Sequence, residues 1–219
     1  MKAAMIFDMD GTIFQTNRIL ENALQDAFQY LRDQGMWKGA APLDEYKEIM
    51  GVPLPVVWGT LLPHHPVDVR KTMNEIFHER LIENIYRGNG SLYPHAADLF
   101  EYLSQRGYPI YIASNGQPKY LKAIVEHYRL GRWISDYYSI QSIQSGDKGE
   151  LIRSIKEEHQ LSYGMVIGDR LSDFMAAHAN QFLSVGCAFD FSQAHELAEA
   201  DIVVDDLIEV KKFLEKVKE

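Results

Sequence analysis

Ala3-Ala4-Met5-Ile6-Phe7-Asp8-Met9-Asp10-Gly11-Thr12 is the stretch that decides how this chain is read. The run from Ala3 to Phe7 suits a strand buried on both faces, as in the middle of a parallel sheet. Asp8 and Asp10 follow at i and i+2, a spacing that on extended backbone sends both carboxylates to the same side. Gly11 then permits a sharp turn at the carboxyl end of the strand. In an open parallel sheet, that end is where ligands bind. A lone D-x-D-G is equally a surface turn, because Asp and Gly are ordinary turn residues. The remaining sequence has to choose between the two.

Working outward, residues 16–89 read as helical throughout. Ile19, Leu20, Ala23, Leu24, Ala27, Phe28 and Leu31 recur at helical spacing over Asn17 to Gln34, with Thr16 or Asn17 as the N-cap. Shorter helices are expected over Leu43 to Met50 and Pro55 to Leu62. A long one is expected over Val67 to Arg87, with Val69, Met73, Ile76, Phe77 and Ile85 on its buried side. After Gly88-Asn89-Gly90 the pattern changes. Helix His95 to Arg106, strand Tyr108 to Ala113, helix Pro118 to Tyr128 and strand Asp136 to Ile140 alternate. Helix Gly149 to His159, strand Gly164 to Ile167, helix Leu171 to Asn180 and strand Phe182 to Cys187 continue the series. A helix over Gln193 to Ala200, strand Asp201 to Val204 and a helix from Leu207 complete it. Strands alternating with helices predict βα units and a parallel sheet covered on both faces. The expected architecture is an α/β core of residues 1–15 and 90–219, with an all-helical domain of residues 16–89 inserted after the first strand.

Composition narrows the function. The 219 residues are 46% hydrophobic and 24% charged, which suits an ordinary globular core. A formal net charge of −9 argues against nucleic acid or an anionic membrane surface as a partner. A single cysteine, Cys187, excludes an internal disulfide and suits a reducing compartment. No signal peptide and no run of about 20 apolar residues is present, so the expected location is the cytoplasm. The eight histidines form no metal-ligand spacing.

Three further groups fall at strand ends in this reading. Ser114-Asn115 follows the strand Tyr108 to Ala113, Lys148 precedes a helix, and Gly168-Asp169-Arg170-Leu171-Ser172-Asp173 follows the strand Gly164 to Ile167. Each has a structural alternative: Ser114 as a helix cap, Lys148 as a solvated side chain, Asp169 and Asp173 as first-turn acids favoured by the helix dipole. Together they place four carboxylates on one sheet edge, where they cannot all stay ionised without a cation. Mg²⁺, a hard divalent ion with oxygen ligands, resolves that conflict. Ser114, Lys148 and backbone N–H groups would form an anion cradle beside it. A metal, an anion cradle and a carboxylate suit phosphoryl transfer.

At this point the sequence resembles the haloacid dehalogenase (HAD) superfamily over essentially its whole length. Asp8-Met9-Asp10-Gly11-Thr12 resembles that family's nucleophile motif, Ser114-Asn115 its hydroxyl motif, Lys148 its lysine and Gly168-Asp169 to Asp173 its metal motif. The helical insert resembles the cap of the phosphoglycolate phosphatase and β-phosphoglucomutase branch, as does Glu199 to Leu207 its closing strand. The resemblance implies a HAD-like Rossmannoid parallel-sheet core with an inserted all-helical cap. It implies a Mg²⁺-dependent phosphatase acting on a small phosphorylated metabolite through an aspartyl phosphate. Asp8 would be the nucleophile and Asp10 the general acid and base. Asp8, Asp169 and the backbone carbonyl of Asp10 would hold Mg²⁺, with Asp173 supporting. Ser114 and Lys148 would stabilise the phosphate, with Met9, Asp10 and Asn115 also counted as substrate-binding. The protein would be a monomer or homodimer. A phosphosugar mutase, a pyrophosphatase and an inactive phosphate-binding module share the same core. Gly51-Val52-Pro53-Leu54, in place of Ser-Arg after the cap glycine, favours hydrolysis over mutase chemistry.

Some positions depart from the family pattern. Lys148 is followed by Gly149 where Pro is common, His95 stands where Gly often follows Tyr-Pro, and Arg170 adds a cation beside Asp169. Arg170 is open between substrate binding and a surface ion pair. Arg18, Lys47, Gly51 to Leu54 and Trp58 are the cap candidates for specificity, and the insert is expected to act as a lid.

Overall fold

The computed structural model of the chain describes residues 3–49, 52 and 54–216. The chain divides into two compact units, Met1–Gln15 with Leu92–Glu219, and Thr16–Ser91.

The first unit is built on six parallel strands: β1 (Ala3–Phe7), β2 (Ile110–Ser114), β3 (Asp136–Ser139), β4 (Tyr163–Gly168), β5 (Leu183–Cys187) and β6 (Ile202–Val204). Their order across the sheet is β3-β2-β1-β4-β5-β6. β1 therefore sits centrally, with Phe7 paired to Ile112 of β2 on one side and to Ile167 of β4 on the other. The chain builds outward from β1 through β2 to β3, then crosses to β4 on the far side. That reversal of strand order opens a crevice at the carboxyl ends of β1 and β4.

Burial on both faces explains the sequence of β1. Ala4 and Ile6 join Val166, Leu151, Ile152, Ile155, Ala176 and Ala177 in a core beneath α7 (Lys148–Glu158) and α8 (Leu171–Ala179). Phe7 turns to the opposite face and meets Phe100 of α5 (Ala96–Gln105) edge-on, with ring centroids 5.0 Å apart. α6 (Pro118–His127), α9 (Ala194–Leu197) and α10 (Ile208–Lys216) complete the α-helices among the described residues of this unit. α9 is shorter than the helix expected over Gln193 to Ala200. The Asp201 carboxylate accepts from the backbone N–H and hydroxyl of Ser184 at 2.8 Å, which fixes the entry to β6. The residues just before it tighten into i−3 turns, Glu199 N–H to Glu196 O and Ala200 N–H to Leu197 O.

His95 has a φ of 60°, a conformation that costs a side-chain residue energy and that Gly adopts freely. Its imidazole Nδ1 lies 2.8 Å from Asp206 Oδ1, so the histidine brings a partner that glycine lacks.

The second unit is helical: α1 (Asn17–Asp33), α2 (Leu43–Glu48), α3 (Leu54–Leu61) and α4 (Val67–Tyr86). The seven apolar residues expected to face inward on α1 are all buried. Thr16 occupies the N-cap position but makes no side-chain cap bond. On α4, Met73, Phe77 and Ile85 are buried as expected, whereas Val69 and Ile76 are only half-buried. His78, Leu81 and Asn84 are buried as well. The two polar residues tolerate this because their own helix satisfies them: His78 Nδ1 lies 2.7 Å from Asn74 O, and Asn84 Nδ2 donates to Arg80 O at 2.8 Å. Trp58 is 2% exposed, with its indole N–H on Asn74 Oδ1 and its ring against Phe77, so it belongs to this unit's interior rather than to a specificity surface. Gly51 and Pro53, which bear on the mutase comparison, lie outside the described residues. No helix among the described residues is long and apolar enough to cross a membrane.

Candidate active site

Each candidate residue sits where a strand ends or a helix begins. β1 stops at Phe7 and hands Asp8 to the crevice, and Asp8 N–H is still held by Ile167 O of β4 at 2.8 Å. The chain then folds back on itself: Met9 O accepts from the N–H groups of Ile13 at 3.0 Å and Phe14 at 2.9 Å. Met9 is fully buried, backbone included. Gly11 has φ +78°, and a Cβ there would overlap the Asp169 carboxylate, with Cγ at 2.8 Å and Oδ1 at 3.1 Å. Two separate constraints thus exclude a side chain at Gly11. Gly11→Ala should cost about 1–3 kcal/mol of stability and displace Asp169. Thermal unfolding and metal titration check this, and an unchanged metal affinity would show that the close approach does not matter.

Asp8, Asp169 and Asp173 converge. One ligand oxygen of each lies within 4.8 Å of the others, and the residues are 8%, 2% and 1% exposed. Asp169 directly follows β4, and Thr12 Oγ1 donates to its Oδ1 at 3.1 Å. Asp173 is in the first turn of α8, where its Oδ2 accepts from Arg170 N–H at 3.2 Å. Lys148, the first residue of α7 behind an Asp147 cap, brings its ammonium to 2.5 Å from both Asp8 Oδ1 and Asp173 Oδ1. Its side chain is 6% exposed, so it is not a solvated surface lysine.

Electrostatics follow from this geometry. Burial, which Lys148 offsets only in part and Asp173 and Asp10 reinforce, raises the Asp8 pKa to about 7. Burial together with Asp8 and Asp173 holds the Asp169 carboxyl well above its usual range. Burial opposes the charge on Lys148, yet Asp173 and Asp8 more than compensate and hold its ammonium above its ordinary value. Three carboxylates against one ammonium leave two formal negative charges in a buried cluster. A divalent cation with oxygen ligands neutralises that remainder, so the donor set fits a hard metal ion.

Ser114 ends β2 beside β1 and is 1% exposed. It does not cap α6, whose N-cap is Gln117. Its Oγ accepts from Gly116 N–H at 3.0 Å, which leaves the hydroxyl hydrogen for another acceptor. Asn115 follows it, half-buried. Asp10 is half-buried as well, and its Oδ1 accepts from Tyr120 OH at 2.5 Å. Tyr120 is not among the residues that the sequence motifs single out. The signal available was a tyrosine on the buried face of α6, since a buried phenol needs a hydrogen-bond partner.

Arg170 turns away from the cluster. Its guanidinium pairs with Glu196 of α9, with Nε 2.8 Å from Oε2, and Glu196 also accepts from Leu171 N–H at 3.0 Å. Glu196 therefore ties the start of α8 to α9, a role nothing in the sequence indicated.

The fold and the sequence have clear relatives. A 5′-nucleotidase from Pseudomonas aeruginosa is 22% identical over 199 residues, covering 88% of this chain and 86% of its own. A phosphoglycolate phosphatase from Vibrio parahaemolyticus is 22% identical over 220 residues, covering 93% and 92%. Among solved structures, a predicted phosphoglycolate phosphatase from Haemophilus somnus superposes with a TM-score of 0.85 at 20% identity, covering 97% of this chain and 98% of that one. The family model for haloacid dehalogenase-like hydrolases matches residues 2–180. On that match and the parallel sheet described above, the chain belongs to the haloacid dehalogenase-like hydrolase family.

Proposed function

We propose that this hydrolase cleaves a small organic phosphate monoester through an aspartyl phosphate on Asp8. The observation that carries the reading is the buried cluster of Asp8, Asp169 and Asp173 around Lys148 at the carboxyl edge of the sheet. The names of the two sequence relatives, a nucleotidase and a phosphoglycolate phosphatase, support the monoester class. Asp8, Asp169 and the backbone carbonyl of Asp10 would hold Mg²⁺, with Asp173 beside them. When bound, the ion supplies positive charge to the carboxylates and the phosphate.

The chain's own groups account for the rest. An Asp8 carboxylate oxygen forms a bond to phosphorus as the bond from phosphorus to the leaving oxygen breaks. Asp10 gives its proton to that oxygen, and then takes one from the water that cleaves the acyl phosphate. Lys148 donates one N–H to Asp8 and lies against Asp173 as an ion pair, so a further N–H can meet a phosphate oxygen. Ser114 can offer its hydroxyl hydrogen to a second one.

Purified protein with Mg²⁺ should hydrolyse p-nitrophenyl phosphate and, within a panel of phosphorylated metabolites, favour particular monoesters by kcat/KM. Asp10→Asn should slow an alkyl phosphate by about 10²–10⁴-fold and p-nitrophenyl phosphate far less, because only the poor leaving group needs the proton. Equal slowing of both would remove Asp10 from the acid role, and absence of turnover across the whole panel would remove the phosphatase reading.

A further inference from the structure

We infer that Tyr120 is a positioning residue for Asp10, orienting the carboxyl group that carries the proton to the leaving group. The inference rests on the reading of Asp10 as proton donor. Tyr120 OH lies 2.5 Å from Asp10 Oδ1, across 110 residues of sequence. In its ionised form Asp10 only accepts hydrogen bonds, so the phenol is then the donor and keeps its own proton. Oδ1 is thereby engaged, and the carboxyl group is held in the orientation from which its proton leaves. As the Asp8 oxygen bonds to phosphorus and the leaving bond breaks, that proton passes from Asp10 to the leaving oxygen.

The packing shows that the phenol is aimed rather than merely nearby. Tyr120 is 2% exposed, whereas Asp10 is half-buried. The tyrosine ring meets Phe14 edge-on, with centroids 6.5 Å apart. Phe14 is itself locked to the turn that bears Asp10: its carbonyl accepts from Gly11 N–H at 3.1 Å, and its backbone bridges to Asp10. Gly116 also borders the ring: an added Cβ there would lie 3.0 Å from Tyr120 Cδ1 and 3.3 Å from Ser114 Oγ. The ring is thus held against the turn that presents Asp10 and the loop that follows Ser114. A rigid ring with a single hydroxyl, held in this way, constrains the terminal torsion of the Asp10 carboxyl.

The test is Tyr120→Phe, which keeps the ring and removes only the hydroxyl. Rates are measured with Mg²⁺ on aryl phosphates graded from p-nitrophenyl to phenyl, together with the best alkyl phosphate of the wild type. The expected result is an alkyl kcat lowered about 10–100-fold and a p-nitrophenyl kcat lowered less than about 3-fold, with KM and Mg²⁺ dependence unchanged. In an Asp10→Asn background the same change should add nothing, because the group it positions is gone. A packing role alone would slow all substrates alike and would persist in that background. Either of those outcomes, or unchanged rates on every substrate, overturns the inference. If Tyr120→Phe fails to fold, Phe14→Leu loosens the same ring and should give the same leaving-group dependence. Wild type that turns over p-nitrophenyl phosphate while Tyr120→Phe behaves identically defeats this inference alone; wild type inert on the whole series defeats the phosphatase reading as well.

Discussion

Asp8→Asn should lower turnover of every substrate by more than about 10³-fold while leaving the protein folded, because an amide cannot form the acyl phosphate. Its effect on stability should run the other way. The Asp8 pKa is raised to about 7. A carboxyl raised above its unfolded value adds stability that is fully present below the unfolded pKa and is lost as pH rises through the folded one. Metal-free wild type should therefore lose stability between about pH 4 and pH 7, and Asp8→Asn, which never ionises, should lose less. At pH 8 its Tm should equal or exceed that of the metal-free wild type. Catalytic carboxylates held in this way exchange stability for reactivity. Turnover retained by the variant would remove Asp8 as nucleophile. A Tm well below wild type would show that the carboxylate is a structural partner of Lys148 instead.

Removing divalent metal should stop the reaction, and Mg²⁺ should restore it. The same buried excess of negative charge gives the sign of its pH dependence. Protons compete with the ion for Asp8 and Asp169, both held above their ordinary values, so metal affinity should rise as pH rises through about 7. At about a hundred times its dissociation constant, Mg²⁺ should raise Tm by about 5–10 °C at pH 8 and clearly less at pH 5. Ca²⁺ should bind yet support turnover poorly, because it takes more oxygens at longer distances and would engage Asp8 in ways that misplace the attacking atom. Full activity after exhaustive chelation would end the metal reading, and a stabilisation larger at pH 5 than at pH 8 would mean that the ion binds elsewhere.

The alternation of βα units was legible because it is a local property. A strand's two-residue repeat and a helix's 3.6-residue repeat are written within a few neighbouring residues, and the parallel sheet follows from their order. The stretch Ala3 to Phe7, apolar throughout, correctly implied a central strand covered on both faces. Local pattern was less informative on α4, where polar His78 and Asn84 are buried while apolar Val69 and Ile76 stay half-exposed. Their hydrogen bonds to backbone four residues earlier make burial possible, and residue type does not announce such bonds.

Sequence alone also placed Asp8, Ser114 and Asp169 at the ends of strands, since each follows a short apolar run that, alternating with helical segments, suits a buried strand. Tertiary structure alone decided how the charges pair. Lys148 meets Asp8 across 140 residues and Asp173 from a different helix, Arg170 turns to Glu196 instead of toward the cluster, and Tyr120 reaches Asp10 across 110 residues. A side chain's partner is set by which distant segments converge and by how each backbone aims its Cβ. Both are properties of the sheet order β3-β2-β1-β4-β5-β6 and of where each helix begins, and neither is carried by any single stretch of residues.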